Sequence, residues 1–273
     1  MITITKEDFL PGQICASGQC FRMNPTGENT YALVAGDHYL EIEERGDKRF
    51  LFSCHEEEFE SFWRDYFDLD RDYHSYREVI DPEDTYLLKA ACFGSGIRIL
   101  RQDLWEMIVS FIVSQQNNIR RIKNILELLS KRYGKCCHTG EGKMYACFPR
   151  PEELSGVEEE EFRDCGLGYR SRYIRNTVNS VLSGEVDLEK IKGMSYPDAR
   201  AELMKLSGVG GKVADCICLF GLHHLEAFPV DTHIQKVLKQ QYPQGFPFER
   251  YEGSQGVLQQ YIFYYDLHHP EIS

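Results

Sequence analysis

Residues 206–231, LSGVGGKVADCICLFGLHHLEAFPVD, constrain this chain more than any other stretch. The Gly-x-Gly-Gly at 208–211 supplies positive φ and lets a second backbone come close. The apolar run from Gly211, with no proline before Pro229, reads as a helix. Lys212 then lies in its first turn, at the positive end of the helix dipole. Positions 212, 216 and 220 recur every four residues, so Lys212, Cys216 and Phe220 share one side. An amine beside apolar neighbours and a positive dipole end is disfavoured in its charged form, which is how a lysine becomes a nucleophile. A snorkelling surface lysine at a helix start accounts for the same residue. The stretch is no phosphate loop, because Leu206 and Val213 stand where GxxxxGK[ST] needs glycine and a hydroxyl. Through Gly208 and Gly210 the hairpin does offer backbone N–H groups at a helix start. Such a site binds phosphate without reading bases.

The other motifs are spread along 273 residues, enough for one large domain or two to three small ones. Turn signals at Asn24-Pro-Thr-Gly, Ala35-Gly-Asp and Arg45-Gly-Asp-Lys separate four β-rich runs, 21–23, 30–35, 39–44 and 49–53, an antiparallel meander. From Glu56 the period becomes helical. Phe59, Phe62, Trp63, Tyr66 and Phe67 make a stripe that reads as core, and helices are expected over 70–80 and 85–93. Asp103 suits the cap of a buried helix over 104–113, which runs into the polar cluster Ser114-Gln-Gln-Asn-Asn118. An amphipathic helix spans 119–133, and residues 134–153 read as irregular. A short acidic helix follows at 155–165. Gly166-Leu-Gly-Tyr-Arg repeats the glycine turn into a helix, with Tyr169 and Arg170 at its start. Asp231 is a favoured N-cap for a helix over 232–240 that carries His233 in its first turn. The last helix covers 256–268, with Gln259 and Phe263 on one face.

The net charge of −12 counts against nucleic acid, since phosphate neutralisation supplies most non-specific affinity. The acid is held in blocks, however. Arg120, Arg121 and Lys123 form one basic group, and Arg170, Arg172 and Arg175 another. Ten cysteines with no CxxC, and none after Cys218, argue for free thiols and against a zinc ribbon or a C-terminal iron–sulfur cluster. The polar start MITITKEDFLPGQ and the lack of a long apolar run give no signal peptide or membrane span. The expectation is a protein of the cytoplasm or nucleoid.

Helix–Gly-x-Gly-Gly-Lys–helix followed by Pro-Val-Asp resembles the helix–hairpin–helix (HhH-GPD) DNA glycosylase superfamily, and the string LSGVGGKVADCICLFGL…AFPVDTH resembles its 8-oxoguanine DNA glycosylase branch. Ser17-Gly-Gln-Cys-Phe-Arg22, Ser114–Asn118 with Ile119 and Arg121, and Gly166-Leu-Gly-Tyr-Arg-Ser-Arg-Tyr173 extend the resemblance from about residue 10 to the C-terminus. It implies an α+β protein in which an N-terminal antiparallel β-sheet domain (1–95) packs on a mainly helical region (96–273), with two helical subdomains around the DNA cleft. It implies a monomeric bifunctional glycosylase and AP lyase of base excision repair, acting on duplex DNA that holds 8-oxoguanine, opposite cytosine, with no cofactor or metal. The lesion is flipped out because its sugar carbon is shielded in the stack.

By the same resemblance, Lys212 forms the Schiff base at C1′ and Asp231 stabilises charge on the sugar. The Gly18 carbonyl takes the N7–H that only the oxidised base has. Cys216 and Phe263 sandwich the base, Gln259 reads its Watson–Crick edge, and Phe220 stands where the pocket often has methionine. Arg121 and Arg170 hold the orphaned cytosine and Tyr169 wedges beside it. His233 meets a phosphate. Of the DNA-binding triplet Gln116, Asn117 and Asn118, Gln116 fills the gap left by the flipped base and Asn117 lies next to it. Gln116 replaces the usual asparagine with a longer arm, which relaxes the preference for cytosine. Two other readings fit parts of the chain: a glycosylase of the same superfamily for another oxidised base, and a non-catalytic helix–hairpin–helix DNA-binding module.

Overall fold

The computed structural model describes residues 1–269. Its N-terminal part is an antiparallel sheet of β1 (Ile2–Thr5), β2 (Met23–Gly27), β3 (Thr30–Ala35), β4 (His38–Glu44) and β5 (Arg49–Phe52), in the order β1-β5-β4-β3-β2. Helix α1 (Pro11–Ala16) opens with proline at a position that needs no N–H donor. The period-2 pattern buries Leu33, Leu40, Ile42, Phe50 and Phe52 on one face. The register opposes Leu33 to Leu40 and Ile42 to Phe52. Against this face lies one continuous helix: α2 (Glu56–Glu58), a π-turn over Phe59–Trp63, and α3 (Arg64–Tyr66). It buries Phe59, Trp63 and Phe67, and Phe67 meets the rings of Phe9 and Phe52 edge-on.

The expected helix over 70–80 shrinks to α4 (Ser75–Glu78), because the Asp72 carboxylate accepts the His74 N–H and the Asp72 carbonyl accepts the Ser75 hydroxyl. Helix α5 (Thr85–Phe93) matches its expected span, as does the start of α6 (Leu104–Ser114), where the Asp103 carboxylate accepts the Glu106 N–H at 2.9 Å. Helix α7 (Ile119–Tyr133) follows. The region read as irregular holds a small hairpin, β6 (Cys136–His138) and β7 (Met144–Ala146), docked on the N-terminal sheet by the Tyr145 hydroxyl on the Asp37 carbonyl. Helices α8 (Glu159–Asp164), α9 (Arg170–Leu182), α10 (Leu188–Lys192), α11 (Tyr196–Leu203), α12 (Gly211–Gly221), α13 (Thr232–Gln241) and α14 (Gln255–His268) complete the molecule.

Two apolar cores result, one under the sheet and one among the helices. The helical core also takes in Tyr73 and Leu87, so the first hundred residues contribute to both. All ten cysteines are free thiols. No helix of the described residues is long and apolar enough to cross a membrane.

Candidate active site

The site is a cleft of about 900 Å³ between the ends of α6 and α12, the start of α13, one face of α14, and the Gly18 turn of the N-terminal part. Gly208 makes its hairpin: φ is +80°, and an added Cβ would stand 2.5 Å from the Tyr173 ring. Gly210 caps α12 in extended conformation, and Lys212 occupies the first turn as expected. Its side chain is exposed into the cleft, with Nζ 6.0 Å from the centroid of Phe111. One turn on, Cys216 is buried. Burial pushes its thiol up to about 11 against the opposing charge of Lys212, so it meets a ligand as a neutral, polarisable group. A further turn on, Phe220 stacks on Phe111 with centroids 5.4 Å apart.

Asp231 caps α13 by accepting the Ile234 N–H at 2.9 Å, and it lines the same cleft as Lys212. From α14 come Gln259, buried, and half-buried Phe263 one turn on. His233 lies edge-on to Phe263, with centroids 5.5 Å apart, and its Nδ1 is 2.6 Å from the buried Asp266 carboxylate. Gly18 follows α1 with φ +74°, and an added Cβ would stand 3.1 Å from Phe263 Cε1. A helix-ending turn accounts for the glycine. That turn also leaves the Gly18 carbonyl without a hydrogen bond among the described residues.

Family models agree with this arrangement. One described as 8-oxoguanine DNA glycosylase, N-terminal domain, matches residues 1–108, and one described as HhH-GPD superfamily base excision DNA repair protein matches residues 109–244. The 8-oxoguanine glycosylase/lyase of Clostridium acetobutylicum, solved with double-stranded DNA containing cytosine opposite 8-oxoguanine, superposes with a TM-score of 0.91. It is 36% identical and is matched over 97% of this chain and 93% of its own. The chain belongs to the 8-oxoguanine DNA glycosylase family. Its curated relatives include the N-glycosylase/DNA lyase of Saccharomyces cerevisiae, 38% identical over 62% of this chain, and the N-glycosylase/DNA lyase OGG1 of Arabidopsis thaliana, 33% identical over 81%. The matches span 47% and 63% of those two proteins.

In this 8-oxoguanine DNA glycosylase family member, the expected base-pocket residues Gly18, Cys216, Phe220, Gln259 and Phe263 share one cleft with Lys212, Asp231 and His233. Three of the residues expected at the DNA are engaged within the protein itself. Arg170 is only 3% exposed, and its guanidinium is spent on the carbonyls of Gln115, Gln116 and Leu167, so it clamps the turn after α6 instead of facing solvent. Asn118 caps α7, its side chain accepting from the Arg121 N–H at 2.9 Å. Asn117 is engaged on Val113 and on Asn118. What the turn presents is Gln116, exposed and held at φ +47°, a conformation that glutamine rarely adopts and that clusters at functional sites. Arg121 and Tyr169 are exposed beside it; Arg121 reaches the Gly166 carbonyl at 3.3 Å.

The sequence reading missed Phe111, Gln115, Pro229 and Gln260, all of which line the cleft. Gln260 had a readable signal: a second amide, beside Gln259, in an otherwise aromatic and aliphatic helix. Phe111 had none, since its helix is apolar almost all round.

Proposed function

We propose that this chain is a bifunctional DNA glycosylase/AP lyase that flips 8-oxoguanine out of duplex DNA, opposite cytosine, and excises it as a monomer without metal or cofactor. One observation carries the reading: Lys212 and Asp231 reach a single cleft whose walls are the Gly18 turn, Cys216 and Phe263. The Lys212 amine attacks C1′ as the bond to the base breaks, and Asp231 offsets the positive charge that builds on the sugar. The resulting Schiff base allows β-elimination of the 3′ phosphate, which nicks the strand. The flipped base lies between Phe263 and Cys216, with the free Gly18 carbonyl accepting its N7–H. Gln116 at the turn and Arg121 beside it face the gap and the opposite base, while the hairpin at Gly208 and Gly210 holds phosphate.

Borohydride trapping on a duplex with one 8-oxoguanine opposite cytosine tests this, with wild type and Lys212→Gln side by side. A covalent adduct with wild type only is the expected result. An adduct on abasic DNA alone keeps the lysine and removes the base pocket. No adduct on any substrate leaves a DNA-binding module.

A further inference from the structure

Gln259 carries an amide whose two ends read opposite things. With its N–H beside a base's position 6 and its oxygen beside position 1, it matches a guanine edge, which offers O6 as acceptor and N1–H as donor. Turned over, it matches an adenine edge, which offers N6–H as donor and N1 as acceptor. Which base enters therefore depends on what fixes the rotation of that amide. The Pro229 carbonyl, which can only accept, takes Nε2 of Gln259 at 3.0 Å. From the next position Gln260 donates its own Nε2 to the Gln259 oxygen at 3.4 Å. Gln260 is 3% exposed and lines the cleft, and its Oε1 is buried with no partner among the described residues. An unmet buried acceptor is costly, and an apolar residue would avoid that cost, so the amide requires an explanation.

We propose that Gln260 is a positioning residue that, together with the acceptor-only Pro229 carbonyl, holds the Gln259 amide in the guanine-reading orientation and so sharpens the discrimination between oxidised guanine and oxidised adenine. This rests on the base-pocket reading above. With Gln260 replaced by leucine, only the Pro229 carbonyl still biases the amide, and the turned-over state gains population.

Single-turnover excision of 8-oxoguanine and of 8-oxoadenine, each opposite cytosine, is measured for wild type and Gln260→Leu, with nicking of an abasic duplex as the control for folding. The expected result is a fall of roughly tenfold in the 8-oxoguanine to 8-oxoadenine rate ratio, with abasic nicking unchanged and Gln260→Asn intermediate. An unchanged ratio in an active Gln260→Leu protein overturns the proposal alone. Wild type that nicks abasic DNA but excises neither base overturns the pocket reading and this inference with it. If Gln260→Leu loses abasic nicking, the Gln260→Asn ratio decides: wild-type discrimination there also overturns the proposal.

Discussion

A Cβ added at Gly18 would stand 3.1 Å from Cε1 of Phe263, on a backbone at φ +74° that side chains disfavour. Gly18→Ala is therefore expected to cost about 1–2 kcal/mol of stability through the left-handed backbone. It should cost far more in 8-oxoguanine excision, because the carbonyl and the ring it packs on shift together. The split is read by comparing melting with single-turnover rates, and abasic nicking should survive. Equal losses of excision and abasic nicking would make Gly18 merely a turn. At this scale the sequence was informative where chemistry demands a residue type at a spacing: Lys212, Cys216 and Phe220 at four-residue intervals, and Gln259 with Phe263. It was silent where the same residue can serve two purposes. Nothing in Tyr169-Arg170 tells which side chain turns in, and the structure buries the arginine and exposes 49% of the tyrosine.

The elements around the turn after α6 carry the next prediction. Arg170, at the start of α9, donates to the carbonyls of Gln115 and Gln116 and so holds Gln116 at positive φ. Arg170→Lys replaces a planar fork by a point charge and leaves some of these carbonyls unmet, at about 1–3 kcal/mol. Hydrogen exchange should quicken at residues 115–118 and leave α14 unchanged; a turn as protected as in wild type would show that Arg170 does not clamp it. Elements were legible where periodicity ran long, as in α7 or the meander from β3 to β5; the strand expected at 21–23 lies instead at Met23–Gly27, because Asn24-Pro-Thr-Gly, expected as a turn, pairs with β3 across a bulge. Strand β1 went unseen because four residues, Ile2–Thr5, carry too short an alternation, and only pairing with β5 makes them a strand. The β6–β7 hairpin was hidden for a similar reason: it is held by tertiary contacts such as Lys143 to Glu41.

Two buried carboxyls give the whole molecule a pH profile. Burial would raise Asp68, but His223, Arg101 and Arg71 outweigh it and hold the carboxyl well below the usual carboxylate range. Its contribution is thus present above about pH 4 and lost as pH falls. Glu106 runs the other way. Burial pushes it up to about 7, with the charge of Arg22 opposing and Asp103 adding to the rise. Among the described residues no ion pair joins it to Arg22, whose Nε and Nη1 are themselves buried without partners there. A carboxyl raised from 4.5 to about 7 contributes stability that is full below 4.5 and lost as pH rises through 7. At about 1.36 kcal/mol per pH unit, the loss is on the order of 3 kcal/mol. Wild type should therefore be most stable near pH 5 and melt lower by several degrees at pH 8. Glu106→Gln keeps the shape of the neutral carboxyl and cannot ionise. Its melting temperature relative to wild type should rise from pH 5 to about pH 7 and level off by pH 8, a difference in which the histidines common to both proteins cancel. Parallel melting curves across that range would mean that Glu106 enters the folded protein already charged.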